Sequence, residues 1–283
     1  MELFRQLDLT DVIRRALAED VGQGDITTAA TVAPGQPGRA RITVKEHERI
    51  VFCGGTVLAR VFELTGVEAK RCALASEGTW LAPGAIAAEI EGSLAGLLIG
   101  ERTALNFIQL MSGIATLTRR YVDAIAGTRA RIIDTRKTHP GLRALEKYAV
   151  RAGGGANHRF GLDSGVLIKE NHIAAAGSIR KVLEDVRKLA PHTLRVEIEC
   201  ETLAQVDEAI KAGASAILLD NMDPDDMRRA RVIVGDGVIL EASGGITLET
   251  VRAAAEAGVD LISVGALTHS PKAIDLSMRI AAA

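Results

Sequence analysis

Aromatic residues are scarce in this chain: one Trp, two Tyr and five Phe, or 3% of 283 residues. Single-stranded nucleic acid is gripped largely by stacking bases on aromatic side chains, so that mode of recognition has little to work with. An excess of one charge is also missing. The 34 Lys and Arg are balanced by 36 Asp and Glu, for a net charge of −2. A broad pull on nucleic acid or an anionic membrane is therefore excluded, and any anion specificity must be local. Only three cysteines occur, Cys53, Cys72 and Cys200, with no CxxC pair. They read as reduced packing thiols, not as a disulfide framework or a zinc set. No apolar run approaches the ~20 residues of a bilayer span; the most apolar stretch is "LAGLLIG". The opening "MELFRQLDLTDVIRRALAEDVG" is an amphipathic helical pattern without the basic and apolar regions of a signal peptide, so a cytoplasmic location is the default expectation.

What is present is a chain that can bury a core, with 47% hydrophobic and 25% charged residues. Its texture changes near residue 105. Before that point, "GRARITVKEHERIVFCGG" and "GTWLAPGAIAAEIEG" are β-like runs with Gly and Pro-Gly turns, separated by the helical "GTVLARVFELTG". They predict a small N-terminal α/β domain, residues 1–105, with a mainly antiparallel sheet. A long helical stretch, "ERTALNFIQLMSGIATLTRRYVDAIAG", follows. From about residue 129, short apolar runs alternate with helices: "ARIID", "SGVLIK", "LRVEIE", "SAILLD", "VILEAS" and "DLISVG". Repeated βα units imply a parallel sheet with helices outside it. The helices "TLAQVDEAIKAG" and "TLETVRAAAEAG" each end in Gly, as a left-handed cap requires. Strand ends carry Asp134, Lys169, Glu199, Asp220, Ser243 and Gly265. Polar groups at the C-terminal ends of so many strands favour an incomplete, six-stranded α/β barrel over an open sheet. That domain is expected over 106–267, with 268–283 packing back on the first.

The candidate chemistry starts with cations. Arg136 and Lys137 follow the first of these strands, His158 and Arg159 precede the second, and Lys169 ends it. Such groups converging without acidic partners would repel one another, and a ligand with two or more negative charges would relieve that. Lys169 has a rival reading as a Schiff-base nucleophile. The row Arg143, Lys147, Arg151 reads as a solvated helix face, and His139 and His172 as structural turn residues. In "RVEIEC", Glu197 and Glu199 share one face, with Glu199 nearer the ligand end. With Asp220 it could hold magnesium or ribose hydroxyls. A phosphate site is expected at the last two βα turns, Ser243-Gly244-Gly245 before a helix starting near Thr247, and Val264-Gly265-Ala266.

These motifs, "GERTALNFIQLMSGIAT", "DTRKTHPGLRALEKYAV", "GGGANHRFGLDSGVLIKENH", "VEIEC", "LLDNM", "EASGGI" and "ISVGALTHS", occur in order over almost the whole chain. Together they resemble the quinolinate phosphoribosyltransferase family. The resemblance implies an N-terminal α/β sandwich and an incomplete α/β barrel. It implies transfer of phosphoribosyl from phosphoribosyl pyrophosphate to quinolinate with loss of CO2, in the biosynthesis of NAD, with Mg2+ as cofactor. It places Arg136, His158, Arg159 and Lys169 around the quinolinate carboxylates, with Thr135 and Lys137 on the substrates. Glu199 and Asp220 serve the ribose and metal, and the turns at 243–245 and 264–266 take the 5′-phosphate. Lys137, Lys169, Glu199 and Asp220 form the expected catalytic set. Arg102 is expected to enter the partner subunit's site, implying a homodimer with shared active sites, or a hexamer as a trimer of dimers. Neither nucleic acid nor membrane is an expected partner. "GLDSG", with Asp163 and Ser164, departs from the usual family loop, as does Glu170 in "IKENH". The alternatives are a related transferase acting on another anionic heterocycle or in metal-cofactor transport, a non-catalytic anion-binding barrel, and a Schiff-base aldolase.

Overall fold

The structure, a computed structural model, describes residues 9–67 and 72–282. The first eight residues of the opening helical pattern lie outside that range. The chain forms two compact units: Met1–Leu117, His139–Gly154 and Ser270–Ala283 in one, Thr118–Thr138 and Gly155–His269 in the other. The boundary thus falls at 117/118 instead of the expected 105/106, and residues 139–154 return to the first unit. The physical reason lies in helix α4, Leu94–Ala124, which is unbroken through position 105. Its interior has no Pro to stop it, so the change of texture there marks no structural edge.

In the first unit, strand β1 (Pro37–Val44) lies between β5 (Ile86–Ser93) and β12 (Leu276–Ala282), antiparallel to both, and β3 (Cys72–Leu74) pairs on the far side of β5. β1 alternates strictly at its start. Ala40, Ile42 and Val44 turn inward, while Arg39 and Arg41 turn outward to Glu91 and Glu89 on β5. That is the pattern of a sheet with one buried face. Helices α1 (Thr10–Val21), α2 (Ile26–Thr31), α3 (Gly55–Leu64) and α5 (Arg143–Ala152), with the start of α4, complete the unit. α3 contributes Val57, Leu58, Val61 and Phe62, all fully buried. β2 (Ile50–Val51) pairs with β4 (Trp80–Leu81). The Val51 N–H donates to Thr116 Oγ1 at 2.8 Å and the Cys53 N–H to Ser112 Oγ at 3.0 Å. Two buried helix hydroxyls thereby satisfy backbone donors that would otherwise be orphaned.

Lys147 on α5 corrects one expectation. It is buried, at 3% exposure, while Arg151 four residues on is exposed. The buried arc of this helix covers Leu145 to Lys147 as well as Ala149 and Val150, so the basic row does not form one solvated face. His139 has the structural role expected of it, since its ring and its backbone N–H both meet the Glu146 carboxylate.

The second unit is a six-stranded parallel sheet in the order β6-β11-β10-β9-β8-β7. The strands are β6 (Arg131–Ile133), β7 (Val166–Ile168), β8 (Val196–Cys200), β9 (Ala216–Asp220), β10 (Ile239–Ser243) and β11 (Leu261–Ser263). Between them run α6 (Glu170–Ala176), α7 (Ile179–Leu189), α8 (Leu203–Lys211), α9 (Pro224–Val234) and α10 (Val251–Glu256), and α11 (Ala266–His269) follows β11. The six strands are those read from the apolar runs, and the barrel-like, incomplete architecture is as expected. On the free side of β6, Ala156 bridges to Ile133.

The caps explain why the helices start and stop where they do. Thr202 and Gln205 form a reciprocal capping box on α8, and Asp223 caps α9 ahead of Pro224. Gly213 and Gly258 take positive φ at the ends of α8 and α10, as read from the sequence. At the N-terminal strand ends, Asp260 accepts from the Leu240 N–H at 2.9 Å and pairs with Arg231 and Arg129 at 2.5 and 2.6 Å. That end of a barrel serves stability.

Candidate active site

The strand ends of the second unit carry a ring of site residues, several of them in contact with a neighbour. β6 leads into Thr135, Arg136 and Lys137. The Lys137 N–H donates to Thr135 Oγ1 at 3.1 Å, and its carbonyl accepts from Thr268 Oγ1 at 2.9 Å. This holds the Lys137 side chain against the turn after β11, where a Cβ on Gly265 would stand 3.2 Å from Lys137 Cδ. From β11 the ring passes to β10 and the turn Ser243-Gly244-Gly245, whose two glycines have φ of +93° and +60°. The neighbouring Asn221, at φ 55°, donates its N–H to the Ser243 carbonyl at 2.9 Å and its side-chain amide to Asp220 Oδ2 at 2.8 Å. A Cβ on Gly244 would lie 2.2 Å from Asn221 Oδ1, so only glycine fits.

Asp220 in turn acts electrostatically on Glu199 at the end of β8. Glu199 is 8% exposed and its Oε2 lies 2.5 Å from Lys169 Nζ, which follows β7. Burial raises the Glu199 carboxyl; the Lys169 ammonium opposes this, and Asp220 adds to it. Before β7, Arg159 donates from its guanidinium to the Gly165 carbonyl at 3.0 Å. Burial and the nearby Arg136 guanidinium lower its pKa, while Glu197 opposes them. Arg136 closes the ring, and its buried Nε has no acceptor among the described residues.

These contacts bring Lys137 beside Gly265, Glu199 beside Lys169 and near Asp220, and Arg159 near Arg136. Arg102 lies in the first unit, exposed on α4. Several details differ from expectation. The cations are not free of acidic partners, because Lys169 is paired with Glu199; an ion-paired ammonium is a poor nucleophile, which weighs against the Schiff-base reading. His158 does not face outward with the arginines: its Nε2 lies 3.2 Å from Glu197 and 3.8 Å from Glu241, both buried. The Val264 N–H is spent on the Ile133 carbonyl at 3.0 Å and is not available to a phosphate. The helix expected near Thr247 begins at Val251, after a turn in which the Val251 N–H donates to the Thr247 carbonyl at 2.9 Å. The phosphate turns therefore offer glycine backbone more than helix dipole.

Three residues were not singled out for a role from the sequence. Asn221 is visible only as the N of "LLDNM", and its left-handed backbone has no pattern signature. Glu197 and Glu241 were within reach of the strand period. Glu241 stands two residues before Ser243 on one face of β10, as Glu197 stands two before Glu199 on β8. His172 is structural, its Nδ1 accepting from the Lys169 N–H at 3.0 Å.

The residues also fit a divalent cation. Glu199 and Asp220 are two carboxylates from adjacent strands, and the Asp220 charge adds to what raises the Glu199 carboxyl. Magnesium is commonly held by one or two carboxylates together with substrate phosphates. A separate cavity of about 580 Å³, lined by Thr193, Arg195, Ser215 and Ile239 among others, opens at the opposite strand ends and contains none of the expected site residues. No helix among the described residues is long and apolar enough to cross a membrane.

Comparison with known proteins identifies the family. Residues 25–112 match the family model "Quinolinate phosphoribosyl transferase, N-terminal domain" and residues 114–279 its C-terminal counterpart. A probable nicotinate-nucleotide pyrophosphorylase [carboxylating] of Bacillus subtilis is 44% identical over 98% of this chain and 95% of its own length. The nicotinate-nucleotide pyrophosphorylase [carboxylating] of Mycobacterium leprae is 45% identical over 95% of each chain. The crystal structure of NadC from Streptococcus pyogenes superposes with a TM-score of 0.92 at 40% identity, covering 97% of each chain. The chain belongs to the quinolinate phosphoribosyl transferase family.

Proposed function

We propose that this protein transfers a phosphoribosyl group from phosphoribosyl pyrophosphate to quinolinate with decarboxylation, giving nicotinate mononucleotide, pyrophosphate and CO2 for NAD biosynthesis. The observation that carries the substrate assignment is the Arg136–Arg159 pair. Burial and then the neighbouring Arg136 guanidinium lower the pKa of Arg159, and a buried Nε of Arg136 lacks an acceptor among the described residues. A ligand with two carboxylates relieves the repulsion and takes the orphaned donor. Quinolinate is such a dianion.

In this reading Arg136, Arg159 and Lys169 hold the two carboxylates and orient the ring nitrogen toward the ribose. Lys137 meets the diphosphate of the donor, and the glycine turns at 244–245 and 265–266 receive its 5′-phosphate. Glu199 and Asp220 would hold a magnesium ion, which would supply charge neutralisation for the pyrophosphate leaving group. The same two carboxylates favour positive charge at the anomeric carbon as the C–O bond to pyrophosphate breaks. The ring nitrogen forms the new bond with its lone pair and becomes cationic. The bond to the 2-carboxylate then breaks, its electrons staying on C2 beside that cationic nitrogen. C2 takes up a proton as CO2 leaves. Positioning and charge balance supply the catalysis, and no enzyme-bound covalent intermediate is needed.

Arg102 is assigned to the site of a second copy, making a homodimer the smallest active form. The test of the whole reading is a turnover assay with purified protein. Quinolinate-dependent release of both pyrophosphate and CO2 is expected, with nicotinate a poor substitute. Equal turnover of nicotinate would rule out the dicarboxylate assignment.

A further inference from the structure

A buried polar layer lies directly behind the arginine pair. β8 and β10 are alternate strands of the sheet, and alternate strands of a barrel contribute inward side chains to a common layer. Glu197 from β8 and Glu241 from β10 meet there, at 9% and 1% exposure. His158 completes the group, its Nε2 at 3.2 Å from Glu197 Oε2 and 3.8 Å from Glu241 Oε2. Asp134, fully buried after β6, accepts the His158 N–H at 2.9 Å and the Asn157 side-chain amide at 2.5 Å.

The tautomer of His158 follows from its other nitrogen. The Arg159 N–H donates to His158 Nδ1 at 2.6 Å, so Nδ1 is an acceptor and carries no hydrogen. In a neutral imidazole the hydrogen then sits on Nε2, directed at the two glutamates. That excludes a lone pair for a metal at Nε2, although His158, Glu197 and Glu241 offer ligand atoms all within 4.8 Å of one another. A neutral His158 leaves the buried Glu197 and Glu241 carboxyl groups close together, with the Asp134 charge adding to their repulsion. Full charges on both in a low dielectric are costly, which favours retention of one proton.

We infer that Glu241 is a protonated carboxylic acid hydrogen-bonded to Glu197, and that this pair acts through His158 as a positioning device for Arg159. The choice of Glu241 rests on its environment. It is the more deeply buried of the two, its Oε1 has no partner among the described residues, and Leu218 and Leu261 lie in register on the strands at either side. Burial first, and then the Glu197 charge, push its carboxyl well above the usual carboxylate range; Ser263 opposes them and Asp134 adds to them. Glu197 instead has the His158 donor and acts electrostatically on Arg159. The single negative charge on the pair balances a guanidinium from behind without neutralising the pocket meant for a dianion. Two charges there would cancel it.

The groups that face Glu241 are thus Glu197 from β8, Asp134 from the end of β6 and His158 from the preceding loop, with the uncharged Ser263 from β11. The proposal rests on the reading of Arg159 as a carboxylate ligand, and the experiment separates the two. In the unfolded chain Glu241 loses its proton above its ordinary value of 4.5. In the folded chain it keeps the proton, so each pH unit above that value costs the wild type up to roughly tenfold in its folding constant. Glu241→Gln mimics the protonated acid and bears no such cost. Its melting temperature should therefore gain on the wild type progressively from pH 5 to pH 8, and the infrared band of a protonated carboxyl should disappear. Glu197→Gln should raise KM for quinolinate tenfold or more with a smaller change in kcat, and Glu197→Asp should recover part of the loss.

A constant melting-temperature difference across that pH range would overturn the proposal. So would an unchanged carboxyl band, or an equivalent of divalent metal in the wild type that Glu241→Gln lacks. If the wild type fails to turn over quinolinate while the pH-dependent gain and the band change are observed, the protonated pair stands and the substrate reading falls.

Discussion

Replacing Gly244 by Ala tests the ring from its most crowded point. The added Cβ would lie 2.2 Å from Asn221 Oδ1, 2.5 Å from its Cγ and 3.0 Å from its backbone nitrogen. The residue must also keep φ near +93°. The left-handed backbone costs an L-residue about 1–2 kcal/mol and forced packing about 1–3 kcal/mol, so Gly244→Ala should lose roughly 2–5 kcal/mol of stability. At roughly 2–4 °C per kcal/mol, the melting temperature should fall by about 4–20 °C. Function should suffer as well, because Asn221 can move away only by releasing Asp220. Losing a hydrogen bond to a charged group is worth about 1.5–3 kcal/mol, which predicts a rise of tenfold or more in KM for phosphoribosyl pyrophosphate. Asn221→Gly removes the two nearest obstructing atoms, Oδ1 and Cγ, and suits the φ of 55° at that position. In the double variant the steric part should return, with a coupling energy of about 0.5–3 kcal/mol. Thermal melts and steady-state kinetics on the four proteins measure both effects. Wild-type stability and KM in Gly244→Ala, or no recovery at all in the double variant, would refute the reasoning.

Arg136→Ala removes the orphaned donor and one of two guanidinium groups; kcat/KM for quinolinate should fall by about a hundredfold, with the residual difference between quinolinate and nicotinate narrowed. Burial alone would raise the Asp260 carboxyl, but the Leu240 N–H, Arg231 and Arg129 together hold it below its ordinary value of 3.8. Its stabilisation is therefore complete at neutral pH and lost as pH falls below about 4; Asp260→Asn should cost about 1–3 kcal/mol at pH 7, shrinking toward zero in acid denaturation titrations. Arg102→Ala and Lys169→Ala should each be inactive alone and regain activity when mixed under proven subunit exchange; no regain would count against a shared site. Chelation of divalent cations should abolish turnover and added Mg2+ restore it, and full activity in excess chelator would remove Glu199 and Asp220 as metal ligands.

The six barrel strands could be read from the chain because each is an apolar run closed by a polar residue, and parallel strands buried on both faces leave that signature. The charged ring was legible for the same reason: Lys169, Glu199 and Asp220 sit at those closures. What escaped depends on three-dimensional neighbours. Nothing local distinguishes Lys147, buried on its helix, from the Arg residues four positions away on either side. Whether His158 faces a ligand or two glutamates is decided by β8 and β10, far along the chain. The helix expected at Thr247 starts later because Thr247 and Thr250 first close a turn, which the pattern "TLETV" does not distinguish from a helix start. The texture change at 105 misplaced the boundary because an uninterrupted helix can cross from one unit to the next.

The pairing of β12 with β1 sets an order of assembly. β1 has one neighbour in β5, synthesised soon after it, but its other neighbour follows the whole second unit in the chain. Until Leu276–Ala282 emerges from the ribosome, β1 presents an unguarded row of backbone donors and acceptors, the kind of border along which nascent chains stick to one another. A chain cut short before position 276 would lose no residue of the active-site ring, yet would keep that border open permanently. Loss of solubility, rather than loss of chemistry, is the consequence to look for in such a truncation.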